Sequence, residues 1–145
     1  MKLLFFLPAL MLSVFATPAA EVLACPSWEI VIVDEAGKGL TGCNVAQEWG
    51  CTFKAGYVGA TTNAVTDAKG QVLFPARIVS SPPPETSRWK KIRRALDGPE
   101  DPQPAGSVII SKPGYRTEWI RKGDPGVVAT KSGLRLRLML RPEKP

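Results

Sequence analysis

The chain has 145 residues, 44% hydrophobic and 22% charged, with 19 Lys+Arg against 13 Asp+Glu and a formal net charge of +6. That is the composition of one ordinary globular domain rather than of a disordered chain. It contains no histidine, which excludes Ser-His-Asp and Cys-His catalysis and imidazole metal sites within the chain, and its 3 cysteines alone cannot fill a tetrahedral zinc site of cysteines or of cysteines with histidine.

The chain opens on a targeting pattern. Lys2 precedes an apolar stretch over residues 3–16, interrupted by Pro8 and followed by small residues at 17–20. The stretch is shorter than the roughly 18 residues a spanning helix needs and fits the apolar region of an export signal. Val22-Leu23-Ala24-Cys25 resembles the lipobox of bacterial lipoproteins, although Glu21 interrupts the run before it. This makes residues 1–24 the expected signal peptide, Cys25 the expected lipid attachment and residues 25–145 the mature domain. Pro26 after the cysteine points to the outer membrane by the enterobacterial sorting pattern. Ordinary cleavage after Ala19, Ala20 or Ala24 is the alternative and leaves a soluble periplasmic or secreted chain.

Cysteines tend to pair in an oxidising compartment, and Cys25, Cys43 and Cys51 are an odd set. Lipidation of Cys25 leaves Cys43 and Cys51 as the expected disulfide, a short loop worth roughly 2–3 kcal/mol. Pairing of Cys25 with Cys43 or Cys51 is the alternative.

The 14 Pro and 13 Gly favour short elements joined by turns. Residues 28–33 are β-branched and aromatic and read as a first strand, ended by Asp34-Glu35-Ala36-Gly37. Residues 41–49 resume as a strand, and the Gly-rich stretch 50–59 reads as a loop. Residues 60–66 lead into Asp67-Ala68-Lys69-Gly70, a second Asp-x-x-Gly turn, and then residues 71–74. Pro75 confines that strand to an edge or a bulge, and residues 76–80 read as its extension. Residues 107–112, the turn Pro113-Gly114 and residues 115–122 form a further pair. Residues 134–140 alternate Leu134, Leu136, Leu138 and Leu140 on one face with Arg135 and Arg137 on the other. About seven strands with turns between them predict an all-β sandwich. The exception is the Pro-bracketed stretch 81–105, an insertion in which residues 87–96 read as a short amphipathic helix, with Trp89, Ile92 and Leu96 at helical spacing.

Asp34, Gly37, Gly42 and Val45, then Thr66, Asp67, Gly70 and Phe74, then Lys112, Gly114 and Tyr115 carry a family pattern. In that order they resemble the carboxypeptidase regulatory-like domain of the transthyretin-like fold class. The resemblance implies a seven-stranded Greek-key sandwich with no catalysis of its own and no cofactor. It implies an exported module that binds or scaffolds a partner. The purine hydrolase of that fold class uses histidines and a C-terminal Tyr-Arg-Gly-Ser, which this chain lacks.

Two surfaces are candidates for binding. Arg88, Trp89, Lys90, Lys91, Arg93 and Arg94 place five positive charges in seven residues, suited to an acidic envelope protein or an anionic envelope component. Export argues against nucleic acid as the partner. The other candidate is a carbohydrate platform built from Trp49, Tyr57 and Trp119, which fall near loops or strand ends. Asp34, Glu35 and Asp67 read as turn caps, since their spacing is not that of a calcium loop. Nothing in the spacing brings Glu29, Glu48 and Glu118 together as an acid/base pair.

Overall fold

The computed structural model describes residues 21–53, 56–81, 92 and 102–143. These residues, Ile92 apart, are all-β, as the turn-rich sequence predicts. Ten strands are described: β1 (Glu21–Cys25), β2 (Trp28–Val33), β3 (Asn44–Phe53), β4 (Gly56–Val65), β5 (Gln71–Phe74), β6 (Arg77–Ser80), β7 (Gln103–Ser111), β8 (Glu118–Arg121), β9 (Val127–Thr130) and β10 (Gly133–Met139). They form a sheet ordered β5-β2-β10-β9, a second ordered β4-β3-β7-β8, and a ribbon of β1 with β6.

The two four-stranded sheets face each other across one core. β2 turns Trp28, Ile30 and Ile32 inward, all 0% exposed. β10 lies parallel to it with Leu134, Leu136 and Leu138 directly opposite those residues. The outward positions of the same strands carry the charges, and Arg135 Nη2 meets Glu29 Oε2 at 2.8 Å. From the other sheet come Val45, Val108, Ile110 and Ile120, buried in the same cluster. Each such side chain, fully removed from water, contributes roughly 1.5–3 kcal/mol. A smaller cluster of Ala24, Cys51, Phe53 and Val79 joins the β1–β6 ribbon to β3.

The turns are built as the sequence predicts. The Asp67 carboxylate accepts hydrogen bonds from the backbone N–H of Lys69 and Gln71, and Asp34 does the same for Lys38. Gly70 has φ +75, and a Cβ there would overlap the Ile32 carbonyl oxygen.

Four segments depart from the sequence reading. The stretch 50–59 is strand rather than loop: β3 continues to Phe53 and β4 returns from Gly56, in unbroken ten-pair register. The glycines are there because the Tyr57 ring lies flat across Gly50 and Gly59, where any Cβ would strike it. Residues 77–80 leave the sheet of β5 to pair with β1. β7 begins at Gln103, inside the stretch assigned to the insertion, and Val127–Thr130 adds an edge to β10. The helix expected over residues 87–96 lies outside the described residues, Ile92 apart.

Candidate functional site

Side-chain parity on the β4-β3-β7-β8 sheet sorts its residues into two faces. Val45, Gln47, Trp49, Cys51 and Phe53 of β3 turn inward. Ala46, Glu48, Gly50 and Thr52 turn outward. The cross-strand register then gives the rows of the outer face. One row is Tyr57–Thr52–Gln103, the next Gly59–Gly50–Ala105, then Thr61–Glu48–Ser107–Arg121 and Asn63–Ala46–Ile109–Trp119.

Two aromatic residues stand at opposite corners of this face. Tyr57 is 65% exposed and Trp119 57% exposed. Three inter-strand steps of about 4.8 Å and six residues of about 3.3 Å separate them, or roughly 25 Å along the diagonal. The Arg121 guanidinium stacks on the Trp119 ring at 4.5 Å and fixes its orientation. The floor toward Trp119 is low because Ala46 and Ala105 carry little side chain, while the Tyr57 ring covers Gly50 and Gly59. Hydrogen-bonding groups border it: Thr61, Asn63, Gln103 and the Glu48 carboxylate, which accepts a bond from Ser107 Oγ at 3.1 Å. One acid and one base on such a surface suit an uncharged, hydroxyl-rich ligand.

Trp49 is not part of this platform. It turns inward, donates its Nε1–H to Thr62 Oγ1 at 3.4 Å, and packs against both core clusters. Its sequence position suggested a strand end only because a loop was expected to follow at Gly50. The pairing of Trp119 with Arg121 was legible as two outward positions of one strand. The Thr61–Glu48–Ser107 row needed the register.

The three cysteines are buried and unpaired. Cys43 and Cys51 lie eight positions apart along one extended run. At about 3.3 Å per residue that is roughly 26 Å, far beyond the reach of a disulfide, so the expected Cys43–Cys51 bridge does not form. Cys43 Sγ donates instead to the Leu40 carbonyl at 3.5 Å. Cys25 ends β1 and is 0% exposed. Its sulfur accepts a hydrogen bond from Gln47 Nε2 at 3.4 Å, and it sits 3.0 Å from where a Cβ would stand on Gly106.

Burial pushes the Cys25 thiol up. The Trp28 and Gln47 side chains and the charges of Arg77 and Lys122 counter this in part. The Trp28 indole is near enough to favour a charged sulfur, yet its N–H makes no hydrogen bond in the fold.

Residues 88–91 and 93–94 of the basic cluster lie outside the described residues. The three carboxylates considered as an acid/base pair are dispersed. Glu29 is on the outer face of one sheet, Glu48 on the outer face of the other, and Glu118 on an inward position of β8. Among the described residues no group of three or more Cys, Asp or Glu is placed to hold a metal ion.

No family model matches the chain, and no curated protein matches it. Among solved structures it is similar to the 3-chlorocatechol 1,2-dioxygenase of Rhodococcus opacus 1CP, at 14% identity and a TM-score of 0.45. The alignment covers 81% of this chain and 60% of the dioxygenase chain. A likeness at that score carries no argument about activity.

Proposed function

We propose that this protein is an exported, non-catalytic binding module whose ligand surface is the outer face of the β4-β3-β7-β8 sheet, and that its ligand is a polysaccharide. One observation carries the reading: Tyr57 and Trp119 both stand more than half exposed on one open sheet face, with small residues and hydroxyl or amide groups between them. Aromatic rings stack the apolar faces of sugars, and flanking polar groups meet their hydroxyls. The order of the turns around Asp34, Asp67 and Gly114 supports the carboxypeptidase regulatory-like, Greek-key plan, with the β1–β6 ribbon and one sheet strand added to its seven.

The same proposal takes the lipid-free form of export. The support is the packing of β1: cleavage before Cys25 would remove four of its five residues and strip β6 of its partner. Cleavage after Ala19 or Ala20 keeps the strand.

The test is binding of the purified exported chain to a panel of envelope and plant cell-wall polysaccharides, read by calorimetry and affinity electrophoresis. Binding is expected, with Tyr57→Ala and Trp119→Ala each weakening it about two- to tenfold while the thermal midpoint stays within a few degrees; stacking contacts are worth roughly 0.5–1.5 kcal/mol each. Binding indifferent to both substitutions refutes the face. The second reading is docking of an anionic envelope partner on Arg88, Trp89, Lys90, Lys91, Arg93 and Arg94. It rests on the density of charge in the sequence, and reversal of Arg93 and Arg94 to Glu is expected to abolish capture only in that case.

A further inference from the structure

A sheet edge displays a row of free backbone N–H and C=O groups, and proteins blunt such edges with charges, proline, bulges or shortness. Three of the four edges of the two four-stranded sheets are blunted. β5, β8 and β9 have four residues each. β5 runs into Pro75, and β8 carries Glu118 and Arg121. The fourth is not. β4 is the terminal strand of its sheet, ten residues long, and pairs with β3 without a bulge. Its sequence, GYVGATTNAV, has no charge and no proline. Among the described residues no strand pairs with its outer edge.

We infer that β4 pairs with β4 of a second copy of this chain, antiparallel about a two-fold axis at Thr61, joining two four-stranded sheets into one of eight. The strand's own residues select both the occupant and the register. Directly opposed residues in an antiparallel pair share a face. An axis at Thr61 therefore sets Tyr57 against Val65 of the other copy, and Val65 against its Tyr57, on the outer face. These are the two most exposed large apolar side chains of β4, at 65% and 59%. The Tyr57 ring leans toward Gly50, so each Val65 meets the Cβ side of the opposing Tyr57, and the symmetry makes that contact twice. The same register opposes Gly59 to Asn63, and Thr61 to Thr61. An axis one residue earlier, at Ala60, opposes Tyr57 to Asn63 and leaves Val65 without a partner. The strand has no charge, so no like charges meet across the axis despite the net charge of +6. Cross-strand neighbours flank a side chain rather than cover it, so the outer faces of the two copies become one continuous surface. The inference goes beyond the proposed ligand and stands without it.

The experiment is sedimentation equilibrium of the purified exported chain under reducing conditions, over roughly micromolar to millimolar concentration. A mass rising from one copy to two is expected. Thr61→Lys sets two like charges directly opposite each other, and should hold the mass at one copy with an unchanged far-ultraviolet spectrum. Thr61→Cys should oxidise to a covalent dimer, since the two Cys are directly opposed on the axis, whereas Val65→Cys should not. A single-copy mass at every concentration overturns the inference. So does a dimer that Thr61→Lys leaves intact, or cross-linking through Val65→Cys as readily as through Thr61→Cys. Absence of glycan binding by a chain that still dimerises would count against the ligand reading alone.

Discussion

Gly106→Ala puts a methyl group 3.0 Å from the sulfur of Cys25. The substitution should act through that contact. Overpacking a filled interior costs about 1–3 kcal/mol, and the entropy an alanine removes from the unfolded chain returns about 0.4–1 kcal/mol. The net loss expected for Gly106→Ala is about 1–2 kcal/mol. Cys25→Ala alone gives up a buried sulfur and leaves a small void, a loss of about 1–2 kcal/mol. In the double variant the new methyl occupies part of the space the sulfur vacates. The two losses should then fall short of adding by about 1–2 kcal/mol.

The assay is urea unfolding of the chain from residue 21 onward, kept reduced and followed by circular dichroism. With a slope of about 1–3 kcal/mol per molar for a domain of this size, each single variant moves the midpoint by roughly 0.5–1 M, and the double variant moves it no further than either. Additivity within about 0.5 kcal/mol would mean that Cys25 does not pack against Gly106. β1 would then lie outside the mature fold, and the lipid-anchored reading would regain its ground. A mass spectrum of the exported protein decides the same point independently. It should start at Ala20 or Glu21, with no lipid on Cys25.

Other outcomes follow from single contacts. Gly70→Ala should lose at least about 2 kcal/mol, because Gly70 combines φ +75 with a Cβ position that overlaps the Ile32 carbonyl; thermal unfolding measures it. Trp49→Ala should lower the midpoint well beyond Trp119→Ala, since Trp49 packs on both core clusters and Trp119 on neither. Glu29→Gln should cost under about 1 kcal/mol, the usual range for an exposed pair such as Glu29–Arg135. Burial raises the thiols of Cys25 and Cys51, so the folded chain holds those protons more tightly than the unfolded chain does. That part of the stability is full below the ordinary thiol pKa of about 8.5 and is lost as pH rises through the raised folded values. Urea midpoints measured from about pH 7 to about pH 10 should fall less steeply once Cys25 and Cys51 are both alanine.

The features written locally in the sequence are the ones it disclosed. The Leu134–Leu140 alternation needs only the two-residue period, and the Asp-x-x-Gly turns need only their own carboxylate and glycine. What the sequence hid depends on distant residues. Gly50 and Gly59 read as loop because glycine disfavours strands, and only the Tyr57 ring lying over both explains their place in a ladder. That misreading carried Trp49 to the wrong face, since a strand continuing to Phe53 fixes its inward parity. The cysteine arithmetic failed for a related reason: eight residues closed as a loop allow a disulfide, and the same eight extended as a strand forbid it. Val22 to Cys25 satisfied a local processing motif while also pairing with β6, a partner more than fifty positions away.

Two glycines opposed in a ladder cost about 0.5–1 kcal/mol each relative to alanine. The Tyr57 ring above them remains 65% exposed, so its burial repays little of that cost. Stability alone would favour alanine at Gly50, where the nearest obstacles to a Cβ are atoms of the Tyr57 side chain and none of the backbone. On the proposed function, what the glycines secure is a ring laid flat and held ready, which would lower the ordering cost of a stacked ligand. Gly50→Ala therefore separates the two effects. The ring should rotate off the sheet, the unfolding free energy should stay level or rise by up to about 1 kcal/mol, and polysaccharide affinity should fall toward that of Tyr57→Ala. A variant that gains stability and keeps full affinity would show that the flat ring serves packing rather than binding.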